Sequence, residues 1–165
     1  MPQDRRRLGI LARALQPVSR WARPGFLPVG VLAAAPEVAP GSPLPGEPAL
    51  VYAGARELAL HSGDTAHYRD NLTSARPSIW VALVAGPKLA VHGVTADPYE
   101  GEAWAGDEGL AVEAVPIPAE IRGWIGAFFD AHHVEHVFVK RRRCPADPEA
   151  LGRRGPAAIG RRGDG

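Results

Sequence analysis

The sequence predicts an α+β domain: a mainly antiparallel sheet, flat or curled into a partial barrel, packed by a C-terminal amphipathic helix. Three observations predict it. Strand-like runs come first and helix-like runs last, without the βαβ alternation of a doubly wound fold. The 165 residues include 19 Gly and 17 Pro, which supply many turns. The strongest helical period lies near the end, where Ile121, Trp124, Ile125 and Phe128 fall at i, i+3, i+4 and i+7.

The elements follow in order. Leu8 to Arg13 reads as a first strand and Phe26 to Ala33 as a second. Pro28 cannot donate to a ladder, so the second belongs at a sheet edge or a strand start. Ala35 to Pro48 holds five prolines and reads as a loop. Leu50 to His61 reads as an extended pair or one long bulged strand, with Gly54 at the break and Leu58 and Leu60 in alternation. Tyr68 to Leu72, followed by Arg76-Pro77-Ser78, reads as a polar loop leading into a buried strand, Ile79 to Val84. Ala85 to Lys88 turns the chain into Leu89 to Thr95, which makes a hairpin.

The period then changes. Asp97 is an N-cap, Pro98 suits the first helical position and Glu100 can reach back, so a short helix starts here and ends near Gly106. Val112 to Val115 adds a strand. Pro116-Ile117-Pro118 leads into the main helix, Ala119 to His133. The apolar pattern ends after Val139. The domain therefore spans residues 8–139, between a basic N-terminal extension, residues 1–7, and an arginine-rich tail, residues 140–165, whose composition predicts disorder.

Charge divides the chain more than its net of +1 suggests. The tail carries +5 and the N-terminal extension +2, which leaves −6 for the body. Cys144 is the one cysteine, so neither an intrachain disulfide nor a thiolate zinc site can form. No run approaches the ~18 apolar residues of a membrane helix. Arg13 interrupts the apolar run after the N-terminal arginines, unlike a signal peptide. A cytoplasmic location without a membrane partner is expected.

No nucleophile elbow, phosphate-binding loop or dinucleotide fingerprint occurs, and no catalytic residue is assigned. Two clusters stand out. On a continuing helix, His132 and His136 would lie one turn apart and could chelate a metal. The same residues fit a helix C-terminus where imidazoles offset the dipole. Arg69 and Arg76 could clamp a carboxylate or phosphate in forked geometry. Alternatively, their segment is a turn satisfied by the Asn71 and Ser74 side chains. His61, His67 and His92 are scattered and read as ordinary partly exposed side chains. The tail could contact nucleic acid, a second alternative function, or an acidic protein. It lacks interleaved aromatics, so base stacking is not predicted and nucleic acid is not the expected partner.

Several short stretches carry a resemblance. They are Leu58 to His61 (LALH), Tyr68 to Leu72 (YRDNL), Ser74, Arg76 to Val81 (RPSIWV), Val94 to Glu100 (VTADPYE), Val112 to Pro118 (VEAVPIP), and His132 to Glu135 with Phe138, Lys140 and Arg141. Through them the chain resembles an uncharacterised proteobacterial domain family. Its genes typically lie beside those of molybdenum-dependent formate dehydrogenases and their accessory factors. Some members bear the label of a molybdopterin-guanine dinucleotide biosynthesis protein. The chain departs from the family pattern at His136, where a non-His residue is usual.

The resemblance implies a non-catalytic accessory factor or small subunit whose partner is formate dehydrogenase or its maturation factors. The alternative it implies is biosynthesis or delivery of the molybdopterin guanine dinucleotide cofactor, with Arg69 and Arg76 on the phosphates. The expected contact surface is Arg69, Asn71, Arg76, Tyr99, His132 and His133.

Overall fold

A computed structural model describes residues 1–135 of the chain. The expected basic tail and His136 lie outside the described residues. Seven strands and three α-helices run in the order β1 (Gln3–Leu15), β2 (Gly25–Leu32), β3 (Pro43–Leu44), β4 (Glu47–His61), α1 (Thr65–Leu72), β5 (Ser78–Val84), β6 (Val91–Thr95), α2 (Pro98–Ala105), β7 (Leu110–Pro116) and α3 (Ala119–His132). A single 3₁₀ turn, Ser62–Asp64, precedes α1. Among the described residues, no helix is long and apolar enough to cross a membrane.

All strand pairs are antiparallel. The first sheet has the order β2-β1-β4-β3 and the second β6-β5-β7. Strand β4 also lies against β6, and β2 against β7. The two sheets thus curl around one core as a half-barrel, and the α+β class is as the sequence predicts. Leu8, Ile10 and Ala12 of β1 alternate into this core, as do Leu58 and Leu60 of β4. Ile79, Val81 and Leu83 enter from β5. Helix α3 closes the core with Ile121, Trp124, Ile125 and Phe128, the stripe legible in the sequence.

Two local details shape the sheet. Gly54 sits at φ +113 and the β1–β4 register shifts there, so β4 is one long strand with a bulge. Strand β2 is an edge strand in which Pro28 needs no ladder partner on its outer side.

Three elements differ from expectation. Strand β1 begins at Gln3, so Arg5 to Arg7 are sheet residues and not an extension. Arg5 pairs with Glu57 at 2.9 Å, and Arg6 reaches Glu120 at 3.1 Å while lying over the Trp124 ring. Pairing with β4 draws these residues into the ladder, with Arg5 and Arg7 on the outer face and Arg6 on the face of Leu8, where it ends over Trp124. Pro43–Leu44 form a short strand inside the proline-rich loop, and β4 starts at Glu47. The largest difference is α1. Its buried face is Thr65, Tyr68 and Asn71, at helical spacing but mostly polar, so no apolar period announces it.

Candidate functional site

Helix α1 is the hub around which the site is built. Asn71 is 2% exposed and hydrogen-bonds the neighbouring backbone three times. Its amide NH₂ donates to the carbonyls of Ser78 and Ala96, both at 2.8 Å. Its side-chain oxygen accepts from the Ser78 N–H at 2.9 Å. These bonds fasten α1 to the start of β5 and to the link between β6 and α2. On the opposite flank, the Tyr68 hydroxyl accepts the His61 N–H at 3.0 Å. Burial pushes the Tyr68 phenol up to about 12.

Asp97 fixes the start of α2. One carboxylate oxygen accepts the Tyr99 N–H at 2.8 Å, and Pro98 occupies the first turn, as the sequence predicts. The other oxygen lies 2.7 Å from His67 Nδ1 on α1. The Tyr99 ring meets the His67 ring edge-on at 4.6 Å, and its hydroxyl donates to Asp70 at 3.1 Å. That bond to a carboxylate holds the Tyr99 phenol above its ordinary range. Asp64, just before α1, completes a group in which one donor atom each from Asp64, His67 and Asp97 lies within 4.8 Å of the others.

Asp64 and Asp97 of this group line a cleft of about 650 Å³ between β4, β6 and the starts of α1 and α2. Leu58 and Leu60 of β4 point into the core, so Ala55, Glu57, Ala59 and His61 face the cleft. His92 and Thr95 of β6, Glu100 and Trp104 line the far side. Arg56 spans the gap between the sheets by donating to the Val91 carbonyl. Trp104 lies across Gly93, where an added Cβ would sit 3.0 Å from the indole. The lining carries Arg7 and Arg56 against Glu57, Asp64, Asp97 and Glu100, an excess of acid.

The six residues expected on a contact surface fall out differently. Arg69 is exposed on α1 and lies 3.6 Å from Asp70. Arg76 is exposed and borders a separate groove beside Ser74, Trp80 and Glu102. Tyr99 is exposed at the mouth of the His67–Asp97 pair. Asn71 is not a surface residue, because its amide is consumed by the three backbone bonds. His133 Nδ1 lies 3.1 Å from Thr65 Oγ1 with its ring stacked on Phe129, and His132 packs on Phe128. Helix α3 ends at His132 and His133 is already extended, and the expected pairing of His132 with His136 lies outside the described residues.

The acid–imidazole group escaped sequence reasoning. Asp64 and His67 stand at i and i+3, a signal visible only once α1 is known to be a helix. Asp97 is 30 residues further on, and it announced itself only as a cap. Arg7, Arg56, His61 and His92 share the cleft through sheet curvature, which leaves no local pattern.

No curated protein and no solved structure matches the chain. The model of a family described as a protein of unknown function (DUF3305) matches residues 7–142. That stretch contains every described strand and helix apart from the first residues of β1. The chain therefore belongs to the DUF3305 family of proteins of unknown function.

Proposed function

We propose that this protein is a non-catalytic accessory factor for a molybdenum-dependent formate dehydrogenase, and that the cleft between β4 and β6 is where it takes hold of its partner. The observation that carries the cleft assignment is its combination of width and charge. It is broad, polar and lined by β4 and β6, with two arginines against four carboxylates. Such a surface suits a polypeptide segment with basic side chains. An enclosed small substrate would call for an apolar pocket with few polar groups. The formate dehydrogenase assignment rests on the family resemblance and the gene neighbourhood that goes with it.

The excess of acid also bears on the alternative, delivery of molybdopterin guanine dinucleotide. Phosphates would meet Glu57, Asp64, Asp97 and Glu100 there, at a Coulombic cost. Arg76 lies in its own groove, with Glu102 beside it.

The test is co-purification with a tagged formate dehydrogenase. The full chain is expected to elute with the enzyme, and a Glu57→Lys/Glu100→Lys variant is expected to elute alone. Wild-type chain that never associates, alongside a calorimetric response to the guanine dinucleotide cofactor, would transfer the assignment to cofactor delivery.

A further inference from the structure

We infer that Asp64, His67 and Asp97 form a binding site for a borderline divalent transition-metal ion of the Zn²⁺ class. The three donor atoms come from the two ends that α1 and α2 present to one another, and all lie within 4.8 Å. Protein ligands of one such ion sit about 2.0–2.2 Å from it, so they must lie within roughly twice that of each other. The group comes close to this. The His67 Nδ1 to Asp97 distance of 2.7 Å is that of a shared proton. Replacing the proton by a tetrahedrally held ion needs the two atoms to part by roughly 0.6 Å. The half-exposed His67 ring is free to make that adjustment.

Two further observations favour a cation. Asp64 holds the N-cap position of α1, yet its side chain makes no capping bond. The usual use of an N-cap carboxylate is therefore forgone, and its charge is left to the cluster. Second, two carboxylates lie within 4.8 Å of one another beside a single imidazole, which pairs with Asp97 alone. Among the described residues, neither forms an ion pair with Lys or Arg, and the Asp97 side chain is only 15% exposed. Like charges at this range repel, and a divalent ion reverses the sign of that interaction.

The ligand set decides the class of ion. An imidazole with two carboxylates suits Zn²⁺, Co²⁺ or Mn²⁺, whereas Mg²⁺ and Ca²⁺ favour oxygen alone. The outer contacts are those that orient metal ligands elsewhere: the Tyr99 N–H holds the second oxygen of Asp97, and the Tyr99 ring steadies the imidazole. Three protein donors leave at least one coordination position for water or for an atom of whatever occupies the adjoining cleft. An ion here ties α1 to α2. It would offset the charges of Asp64 and Asp97 and leave Glu57 and Glu100 as the cleft's remaining carboxylates for a partner.

The test titrates the full-length apo chain with Co²⁺, following visible absorption, and then displaces it with Zn²⁺. One equivalent is expected to bind, with the signal lost and affinity reduced at least about tenfold in both Asp64→Asn and His67→Gln. A His132→Ala/His136→Ala variant is expected to bind as wild type does. Mn²⁺ is expected to broaden the His67 and Tyr99 ring resonances before any others. Circular dichroism confirms folding of each variant, and because Asp97 also caps α2, the test relies on the other two ligands. Absence of Co²⁺ binding overturns the inference. Binding that survives both Asp64→Asn and His67→Gln overturns it as well, by placing the metal elsewhere.

Discussion

Asn71 is the residue whose replacement most sharply separates a structural role from a contact role. Asn71→Ala deletes three buried hydrogen bonds at once and strands the Ser78 N–H, the Ser78 carbonyl and the Ala96 carbonyl. A typical bond contributes about 1 kcal/mol net, and each stranded buried group costs about 1–3 kcal/mol. Allowing for water reaching part of the gap, the loss should be about 3–5 kcal/mol. That is a large share of the roughly 5–15 kcal/mol a domain of this size has. With a urea slope of about 1–3 kcal/mol per molar, the unfolding midpoint should fall by about 2 M.

Asn71→Asp sharpens the test without changing shape. The new carboxylate still accepts the Ser78 N–H but now faces two carbonyl oxygens in place of a donor. Its folded-state pKa must therefore rise above its unfolded value. A raised pKa means that the folded state holds the proton more tightly, so the stability deficit is full above the folded pKa and shrinks as pH falls through it. Urea melts of both variants across the carboxylate range provide the assay. A midpoint shift below about 0.5 M for Asn71→Ala, or a pH-independent deficit for Asn71→Asp, would refute the reasoning.

Other outcomes follow from the same geometry. Gly101→Ala should unfold or severely destabilise the domain, because the new Cβ would lie 2.1 Å from Trp80 Cγ. Gly123→Ala on α3, which meets nothing within 4 Å, should stabilise it by about 0.5–1 kcal/mol in the same melts. The Trp124 indole N–H donates to Asp4 at 2.6 Å and, with the Arg5 N–H, holds the Asp4 carboxyl below its usual 3.8. The stability this contributes is present above 3.8 and is lost as pH falls through the lower folded value. Asp4→Asn should flatten that part of the acid limb. In an alkaline ultraviolet titration, one tyrosine should resist ionisation until about 12, and Tyr68→Phe should remove it.

Much of the fold was legible because burial imposes a period. The alternation at Leu58 and Leu60, the stripe Ile121–Phe128, the Asp97-Pro98 start and the Gly54 break are local patterns with local causes. Helix α1 was not legible because its buried face is made of Thr65, Tyr68 and Asn71. Polar residues satisfied by distant backbone look like a loop until their partners, Ser78 and Ala96, are known. The site was hidden for the same reason. Its parts come from the end of β4, the start of α1 and the cap of α2. The polar string Tyr68 to Leu72 lies on α1, and its Asn turns inward. The neighbouring His67, passed over as scattered, faces Asp97.

The central claim is that the acidic cleft between β4 and β6 grips a protein partner. It is tested most directly by passing cell extract containing tagged formate dehydrogenase over the wild-type chain and over Glu57→Lys/Glu100→Lys. Both residues lie in the cleft and outside the Asp64–His67–Asp97 group. The account predicts that wild type retains the enzyme and the charge-reversed chain, still folded, does not. Equal retention by the two chains, or by neither, would contradict it.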